Sequence, residues 1–241
     1  MYNLTISSIF RQSEKYLPQY LKQVEEVFSG QDGKCAAVWL EGDSTDNTYK
    51  MLSDAKEKLE ANGHYVNIIK YDCNGPYWES KADKSRWLQL ATCWNKCLDG
   101  LVPAKYTICV ESDIRYDSSI VPKLIEKVDV EHNVVYPMLM IDRSLELFPR
   151  EIFYDTWGFS RGGRKFGGFY PYYSDSPSQK DEAELLEITT GGGMIVSTYE
   201  HQKDGRFGTD DCIMKFKDDV KLYMHKHLKI YHPAPLNWGL K

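Results

Sequence analysis

The stretch Tyr106–Val128, YTICVESDIRYDSSIVPKLIEKV, decides how the chain is read. A run of β-formers climbs to two acids one residue apart, Glu111 and Asp113, and the chain then turns into a helical pattern. An apolar strand that ends in a pair of carboxylates has two explanations. The acids can cap the following helix, with Asp113 and Asp117 as the capping residues. They can also hold a hard divalent cation, because carboxylates at i and i+2 across a turn converge on one ion, and Mg²⁺ and Mn²⁺ favour such oxygen ligands together with phosphates.

Working outward, strand and helix patterns alternate through the first half of the chain, the signature of a parallel sheet covered by helices. Residues 3–10, 35–41, 65–72 and 105–112 read as short apolar strands. Residues 13–28 read as a helix with Ser13 as its cap and Pro18 in its first turn or at a kink. Residues 45–63 read as a second helix closed by Gly63, and 81–100 as a third closed by Gly100. A further strand is expected at 133–140, after which a glycine- and aromatic-rich loop precedes two short segments, ITTGGGMIVSTYE and GTDDCIMKFKDD, and the closing VKLYMHKHLKIYHPAP. A loop of that length in a compact domain points to binding. The expected fold class is α/β, a mixed and mostly parallel sheet flanked by helices, in one domain spanning 1–241.

The bulk numbers set limits. The 241 residues are 42% hydrophobic and 27% charged, which suits a soluble domain with a proper core. A formal charge of −5 argues against a general nucleic-acid binder while leaving room for basic patches. No apolar run reaches the about 20 residues of a membrane helix, and MYNLTISSIF lacks the features of a secretory signal, so a cytoplasmic protein is expected. The six cysteines include no CxxC pair. Cys93 and Cys97, four apart on a helix, read as core packing in a reducing compartment rather than as half of a metal site.

The second acidic turn is VWLEGDSTDNT, where a strand ends at Glu41 and turns through Gly42 and Asp43 into a helix capped by Asp46 or Thr45. In open α/β sheets, ligands sit at the carboxyl ends of strands. Taken together, the two turns resemble the nucleotide-sugar domain of GT-A glycosyltransferases. That family carries an acidic turn of the form (D/E)-x-x-S-x-D-x-T, here Glu41, Ser44, Asp46 and Thr48, followed later by an acid-x-Asp motif, here Glu111-Ser112-Asp113. Between them lies a helix with an R…L……N…L pattern, matched by Arg86 and Asn95.

The resemblance covers about residues 3–130 and implies a nucleotide-sugar-binding half over 1–130 and an acceptor-binding half over 131–241. The donor, a UDP- or GDP-linked sugar such as UDP-glucose, would meet Ser8, Arg11, Glu41, Asp43, Lys84, Arg86, Glu111 and Ser112. The family's first acid is usually aspartate. Glu111 stands there instead, which leaves Asp113 as the metal ligand and gives Glu111 the ribose or a water-mediated contact. Many GT-A enzymes recruit a late histidine to the metal, and His232 fits by position; His225 and His227, sharing a face of a strand, are weaker candidates.

Residues 153–173 resemble the YDTW…RD…G…PY stretch of the fungal capsule-associated α-mannosyltransferases, matched at Tyr154, Asp155, Thr156, Trp157, Arg161, Gly163, Pro171 and Tyr172. Those proteins carry a membrane anchor and a longer chain. The compactness here is closer to their small soluble phage-type relatives beside TET-like dioxygenases, which implies 5-hydroxymethylcytosine in DNA as the acceptor, with a glycan or small molecule as the alternative. Acceptor contacts are expected from Trp157, Arg161, Arg164, Gly192 and Gly193. GTDDCIMKF resembles the acidic element that starts a late GT-A helix, so Asp210 or Asp211 is the expected base in an inverting enzyme, with Asp155 placing the substrates. Mn²⁺ or Mg²⁺ is the expected cofactor.

Three rival readings carry less. TTGGGMIV is followed by no Lys-Ser/Thr and is not a P-loop. SSIFRQSEKYL has no glycine, unlike the loop after the first strand of a nucleotidyltransferase. A non-catalytic sugar-nucleotide module would have discarded the acids at 210 and 211.

Overall fold

The computed structural model describes residues 1–78, 83–142, 152–153, 159–161, 164–165 and 183–233. The first half forms β1 (Tyr2–Phe10), α1 (Leu17–Ser29), β2 (Cys35–Glu41), α2 (Thr48–Ala61), β3 (Tyr65–Lys70), α3 (Lys84–Asp99), β4 (Ala104–Val110) and α4 (Ile120–Glu126). The second half adds β5 (Val134–Asp142), β6 (Ile152–Phe153), β7 (Ser160–Arg161), β8 (Arg164–Lys165), β9 (Leu185–Ile188), β10 (Met194–Thr198), α5 (Tyr199–Asp204), β11 (Arg206–Phe207), β12 (Met214–Lys215) and β13 (Leu222–Pro233).

The main sheet runs β3-β2-β1-β4-β10-β5-β13-β9, with β6 beside β5. β3, β2, β1 and β4 are parallel, and β5 and β13 share their direction; β10, β9 and β6 run the other way. β2 is buried along its whole length, as expected of a strand covered on both faces. The right-handed crossover rule puts α1 and α2 on one face and α3 on the other, and because β1, β2 and β4 are parallel, their carboxyl ends open at the same edge. Tyr20 from α1, Phe10 from β1 and Trp39 from β2 meet edge to face with centroids 5.0–6.3 Å apart and fill the core beneath that edge.

Local signals explain most boundaries. Pro18 lies at the start of α1, where its missing N–H costs nothing. Gly63 closes α2 at φ +85°, a conformation that favours glycine. Asp83 caps α3 by accepting from the Ser85 N–H at 2.7 Å. Among the described residues, no helix is long and apolar enough to cross a membrane.

Three expectations about caps are corrected, the first being Ser13, since α1 starts at Leu17 with Tyr16 at its N-cap position. α2 starts at Thr48, and Asp46 serves it from one step outside, accepting from the Thr48 N–H at 3.0 Å. α4 starts only at Ile120; Asp117 accepts from Ser119 N–H at 2.9 Å, and Asp113 takes no part in capping.

Candidate active site

β4 ends at Val110, and the next residues turn sharply at the open edge of the sheet. The Glu111 N–H donates to the Gly193 carbonyl at 3.1 Å, and the Ile114 carbonyl accepts from buried Gln23 of α1 at 3.1 Å. Arg115 then exchanges two backbone hydrogen bonds with Tyr231, both 2.8 Å. That pair of bonds joins the acidic turn to the end of β13 and sets Asp113 beside His232, with Nε2 to Oδ2 at 3.3 Å.

Glu111, Asp113 and His232 form a group whose potential ligand atoms all lie within 4.8 Å of one another. The donor set, two carboxylates and an imidazole, suits Mn²⁺ and is compatible with Mg²⁺. His232 Nδ1 lies 2.8 Å from the Pro233 carbonyl, so the ring donates there and directs Nε2 toward Asp113. A second ring nitrogen tied to a carbonyl is the usual arrangement of a metal-ligating histidine. The residues present fit a divalent cation.

Without a metal ion His232 and Asp113 form an ion pair, and a cation bound between them would displace the imidazole proton. Burial pulls the His232 imidazolium down, but the hydrogen bond and charge of Asp113, with Glu111 behind it, outweigh this and push its pKa up to about 9. Burial pushes the Asp113 carboxyl up, and His232 and Lys15 overcome that to hold it below the usual range. Sequence reading missed Lys15. It precedes α1, acts on Asp113 through charge, and lies over the Tyr16 ring at 4.5 Å. An exposed lysine in the loop between a first strand and a first helix has no local signature that distinguishes it from any solvated lysine.

The turns after β1 and β2 are laced together on the donor side. Gln12, at φ 52°, accepts from Thr45 N–H at 2.7 Å and donates its own N–H to Ser44 Oγ at 3.0 Å. Ser13 N–H donates to Thr48 Oγ1 at 2.8 Å, and Glu14 N–H to Asp46 Oδ2 at 3.1 Å. Ser44, Asp46 and Thr48 therefore bind the two loops to each other. Glu41 is buried and accepts from Ser44 N–H at 2.7 Å. Asp43, at φ 49°, is exposed at the turn and pairs with Arg11 at 3.1 Å. Backbone held in the left-handed region by a non-glycine residue is a common mark of a functional turn. Arg11 also donates to the Gly75 carbonyl at 2.6 Å and the Pro76 carbonyl at 2.9 Å, which draws the β3–α3 loop into the same cradle.

Ser8 is a correction. It is fully buried, its hydroxyl donating to the Val110 carbonyl at 2.7 Å and accepting from Tyr20 at 2.8 Å, so it offers no surface to a nucleotide. Lys84 is exposed in the first turn of α3, and Arg86 is half-buried two residues on. Ser112 is half-buried between the two acids.

The segment with Asp210 and Asp211 is not a helix start. It is the turn of a hairpin between β11 and β12, in which Arg206 pairs with Lys215 and Phe207 with Met214. Gly208 N–H donates to the Ile213 carbonyl at 3.0 Å, and Asp211 accepts from Ile213 N–H at 3.1 Å, an Asx turn in place of a helix cap. Asp211 also pairs with Lys215 at 3.3 Å, and Asp210 is exposed. Asn95 grips this hairpin, accepting from Phe207 N–H at 2.8 Å and donating to its carbonyl at 3.0 Å, while Trp94 stacks on the Phe207 ring at 5.0 Å. Burial pushes the Cys212 thiol up to about 12, and among the charges acting on it are Glu111, Arg86 and Asp211, which places the hairpin beside the acid turn.

Of the acceptor residues, Asp155 and Trp157 lie outside the described residues. Arg161 is exposed on β7, opposite Arg164 of β8. Gly193, at φ +76°, presents the carbonyl that holds Glu111, and Gly192 is half-buried before it. The pairing of His225 and His227 on one face is corrected, since a bulge in β13 leaves His225 buried and His227 exposed. His225 accepts the N–H groups of His227 and Leu228 at 3.3 and 3.2 Å and approaches Glu184 at 3.0 Å.

No family model and no curated protein sequence matches the chain. Solved structures do. TarS of S. aureus aligns with 96% of the chain at a TM-score of 0.57 and 13% identity. The fold is that of the GT-A glycosyltransferases. The mannosyltransferase PcManGT of Pyrobaculum calidifontis, solved with GDP-Man and Mn²⁺, aligns with 99% at a TM-score of 0.57 and 11% identity. GalNAc-T7, solved with UDP, GalNAc and Mn²⁺, aligns with 98% at 0.54 and 11% identity. The chain spans 37%, 59% and 44% of the lengths of these three proteins.

Proposed function

We propose that this protein is a metal-dependent glycosyltransferase that moves a sugar from a nucleoside diphosphate to an acceptor hydroxyl. The observation that carries the reading is the convergence of Glu111, Asp113 and His232 at the carboxyl edge of the sheet, with the ring of His232 held for ligation. Asp113 and His232 would hold Mn²⁺ or Mg²⁺, with Glu111 completing the set. When bound, such an ion neutralises the charge that develops on a leaving diphosphate. The presence of Mn²⁺ in the complexes of PcManGT with GDP-Man and of GalNAc-T7 with UDP supports the assignment.

The chain's own residues have separable tasks. Arg11 and Asp43, braced by the loop carbonyls at 75 and 76, form the cradle for the nucleoside. Lys15 faces the acid turn and supplies positive charge to the diphosphate, and Arg86 does so from the hairpin side. Asp210, exposed at the hairpin turn, is the group free to take the acceptor proton, because Asp211 is engaged by Lys215 and the Ile213 N–H. Asp155 and Trp157 are assigned to substrate placement on the resemblance of their segment.

For the acceptor we propose 5-hydroxymethylcytosine in DNA, supported by that resemblance and by the paired arginines of the β7–β8 hairpin. The test is incubation with Mn²⁺, UDP- or GDP-linked hexoses and DNA carrying the modified base. A gain of one hexose in DNA mass supports both claims. Donor hydrolysis with unaltered DNA refutes the acceptor and directs attention to a glycan or small molecule. Neither hydrolysis nor nucleotide binding by the folded protein refutes the function.

A further inference from the structure

Cys73 and Cys93 stand apart from the other cysteines. Their sulfurs are 3.6 Å apart, although one residue sits in the β3–α3 loop and the other on α3. Cys73 is half-buried and so reachable from solvent, while Cys93 is 5% exposed. The remaining thiols are placed for inertness. Cys97 donates to the carbonyls of Ser8 and Val38, and Cys109 sits 2.8 Å from the Ser7 hydroxyl. Burial pushes Cys35 up to about 11 and Cys109 to about 12. Within the close pair the opposite holds for Cys93. The hydrogen bond shared with Cys73 lowers Cys93 and raises Cys73; at Cys93 burial and the Asp43 charge oppose the lowering, and the Arg11 guanidinium adds to it. A thiolate flanked by a cation and a second thiol is the arrangement that exchanges readily with disulfides.

The position of the pair matters as much as its chemistry. The loop that begins at Cys73 supplies the two carbonyls that hold Arg11, and the Gln89 side chain of α3 lies 3.4 Å from the Cys73 carbonyl. Cys73 Sγ also packs against Gly42, at 3.0 Å from where a β-carbon would stand. A disulfide needs sulfurs about 2.05 Å apart, so closing one from 3.6 Å brings the two sulfurs roughly 1.5 Å nearer, shared between rotation of the two side chains and movement of the loop that carries Cys73. The part taken up by the loop is felt at the Arg11 hydrogen bonds to the carbonyls of Gly75 and Pro76, 2.6 and 2.9 Å long.

We propose that Cys73 and Cys93 form a reversible disulfide, a redox modification site at the edge of the donor cradle whose closure weakens nucleotide binding. The chemistry balances with a small disulfide as oxidant, such as oxidised glutathione. One thiolate of the pair attacks a glutathione sulfur and releases a glutathione thiolate. The second thiolate then attacks the protein sulfur of the mixed disulfide and releases the other. Two electrons pass to the oxidant, and the two cysteine protons end on two glutathione thiols.

The second half of the proposal rests on the donor-site reading above, and the experiment separates the two. The folded protein is equilibrated with defined ratios of oxidised and reduced glutathione, quenched by alkylation, and read by intact mass and peptide mapping. The expected result is a loss of two hydrogens, two cysteines protected, one peptide linking Cys73 to Cys93, and full reversal by dithiothreitol. Cys73→Ser and Cys93→Ser should each abolish the link, while Cys212→Ser keeps it. A linked peptide through Cys212, or glutathionylation that never resolves to the internal link, overturns the assignment. The affinity for UDP and for GDP with Mn²⁺ is then measured on both forms. A fall of at least fivefold on oxidation supports the coupling, and equal affinities overturn it. If the reduced form binds neither nucleotide, the donor-site reading fails while the disulfide is still judged by mass.

Discussion

Replacing Asn95 with alanine tests whether the acidic hairpin is held from α3. The side chain makes two hydrogen bonds to one residue, accepting from Phe207 N–H at 2.8 Å and donating to its carbonyl at 3.0 Å. A hydrogen bond contributes about 1 kcal/mol net, and a buried group left without a partner costs about 1–3 kcal/mol. Phe207 is only 9% exposed and is covered by Trp94, so water cannot fully replace the lost partners. Some relaxation of the two-residue strands brings the expected loss to about 2–3 kcal/mol. Urea denaturation gives the number from the midpoint and slope, since slopes near about 3 kcal/mol per molar turn that loss into a midpoint shift of roughly 1 M. Thr92→Ala is the control. Its hydroxyl is exposed and bonds only the Leu88 carbonyl within the same helix, so its effect should stay within about 0.5 kcal/mol. Sugar transfer by Asn95→Ala should fall while affinity for Mn²⁺ and UDP or GDP holds. An Asn95→Ala variant as stable as the control would refute the clamp.

Other expectations follow from single sites. Asp113→Asn should weaken Mn²⁺ binding, measured by calorimetry, beyond the about 10–100-fold typical of an outer-shell change, and should remove transfer; undiminished Mn²⁺ affinity would exclude it as a ligand. Gly191→Ala puts a β-carbon 2.5 Å from the ring of fully buried Tyr136, an overpacking worth about 1–3 kcal/mol that thermal denaturation will show as a lower Tm. His64 accepts from Cys35 N–H at 3.2 Å, and burial lowers its pKa in the folded state. The unfolded chain then takes up the proton first, so this contribution is whole above about pH 6.5 and is lost as pH falls through the folded value. His64→Asn should flatten that acid limb in stability curves taken from pH 7 to 5, and an unchanged limb would count against it.

The first half of the fold was legible because its signals are local. Gly63 and Gly100 close their helices where sequence placed them, and the acids at 111 and 113 stand at the end of a strand that needed no partner to be recognised. Ser8 shows where locality fails. Ser7 and Ser8 are both fully buried, because β1 is central and covered on both faces, so alternation cannot separate an inward hydroxyl from one near a ligand. The stretch at 208–213 fails for another reason. Glycine, threonine and two aspartates serve a helix cap and an Asx turn equally well, and the choice is made by Asn95, which holds Phe207 from 112 residues earlier in the chain. The mutual lacing of Gln12, Ser44 and Thr45 is likewise a property of two loops that only the parallel sheet brings together.

Position alone makes His232 a candidate ligand, yet what places it beside Asp113 is a feature that no alternation pattern reveals. β13 pairs with β5 from Leu222–Val134 to His225–Pro137, and pairing resumes at Lys229–Met138. Three residues of β13 are thus passed without a partner on β5. At about 3.3 Å per residue, regular pairing would have carried His232 roughly 10 Å farther along the sheet, past the end of β5. A shift by an odd number also exchanges the two faces of a strand, which is why His225 and His227 part company and why His232 turns toward Asp113 instead of away from it. The exchange of backbone hydrogen bonds between Arg115 and Tyr231 then fixes the acid turn to this shifted strand. The candidate metal centre is therefore a consequence of register, and bulges beside active sites commonly re-aim a side chain in this way.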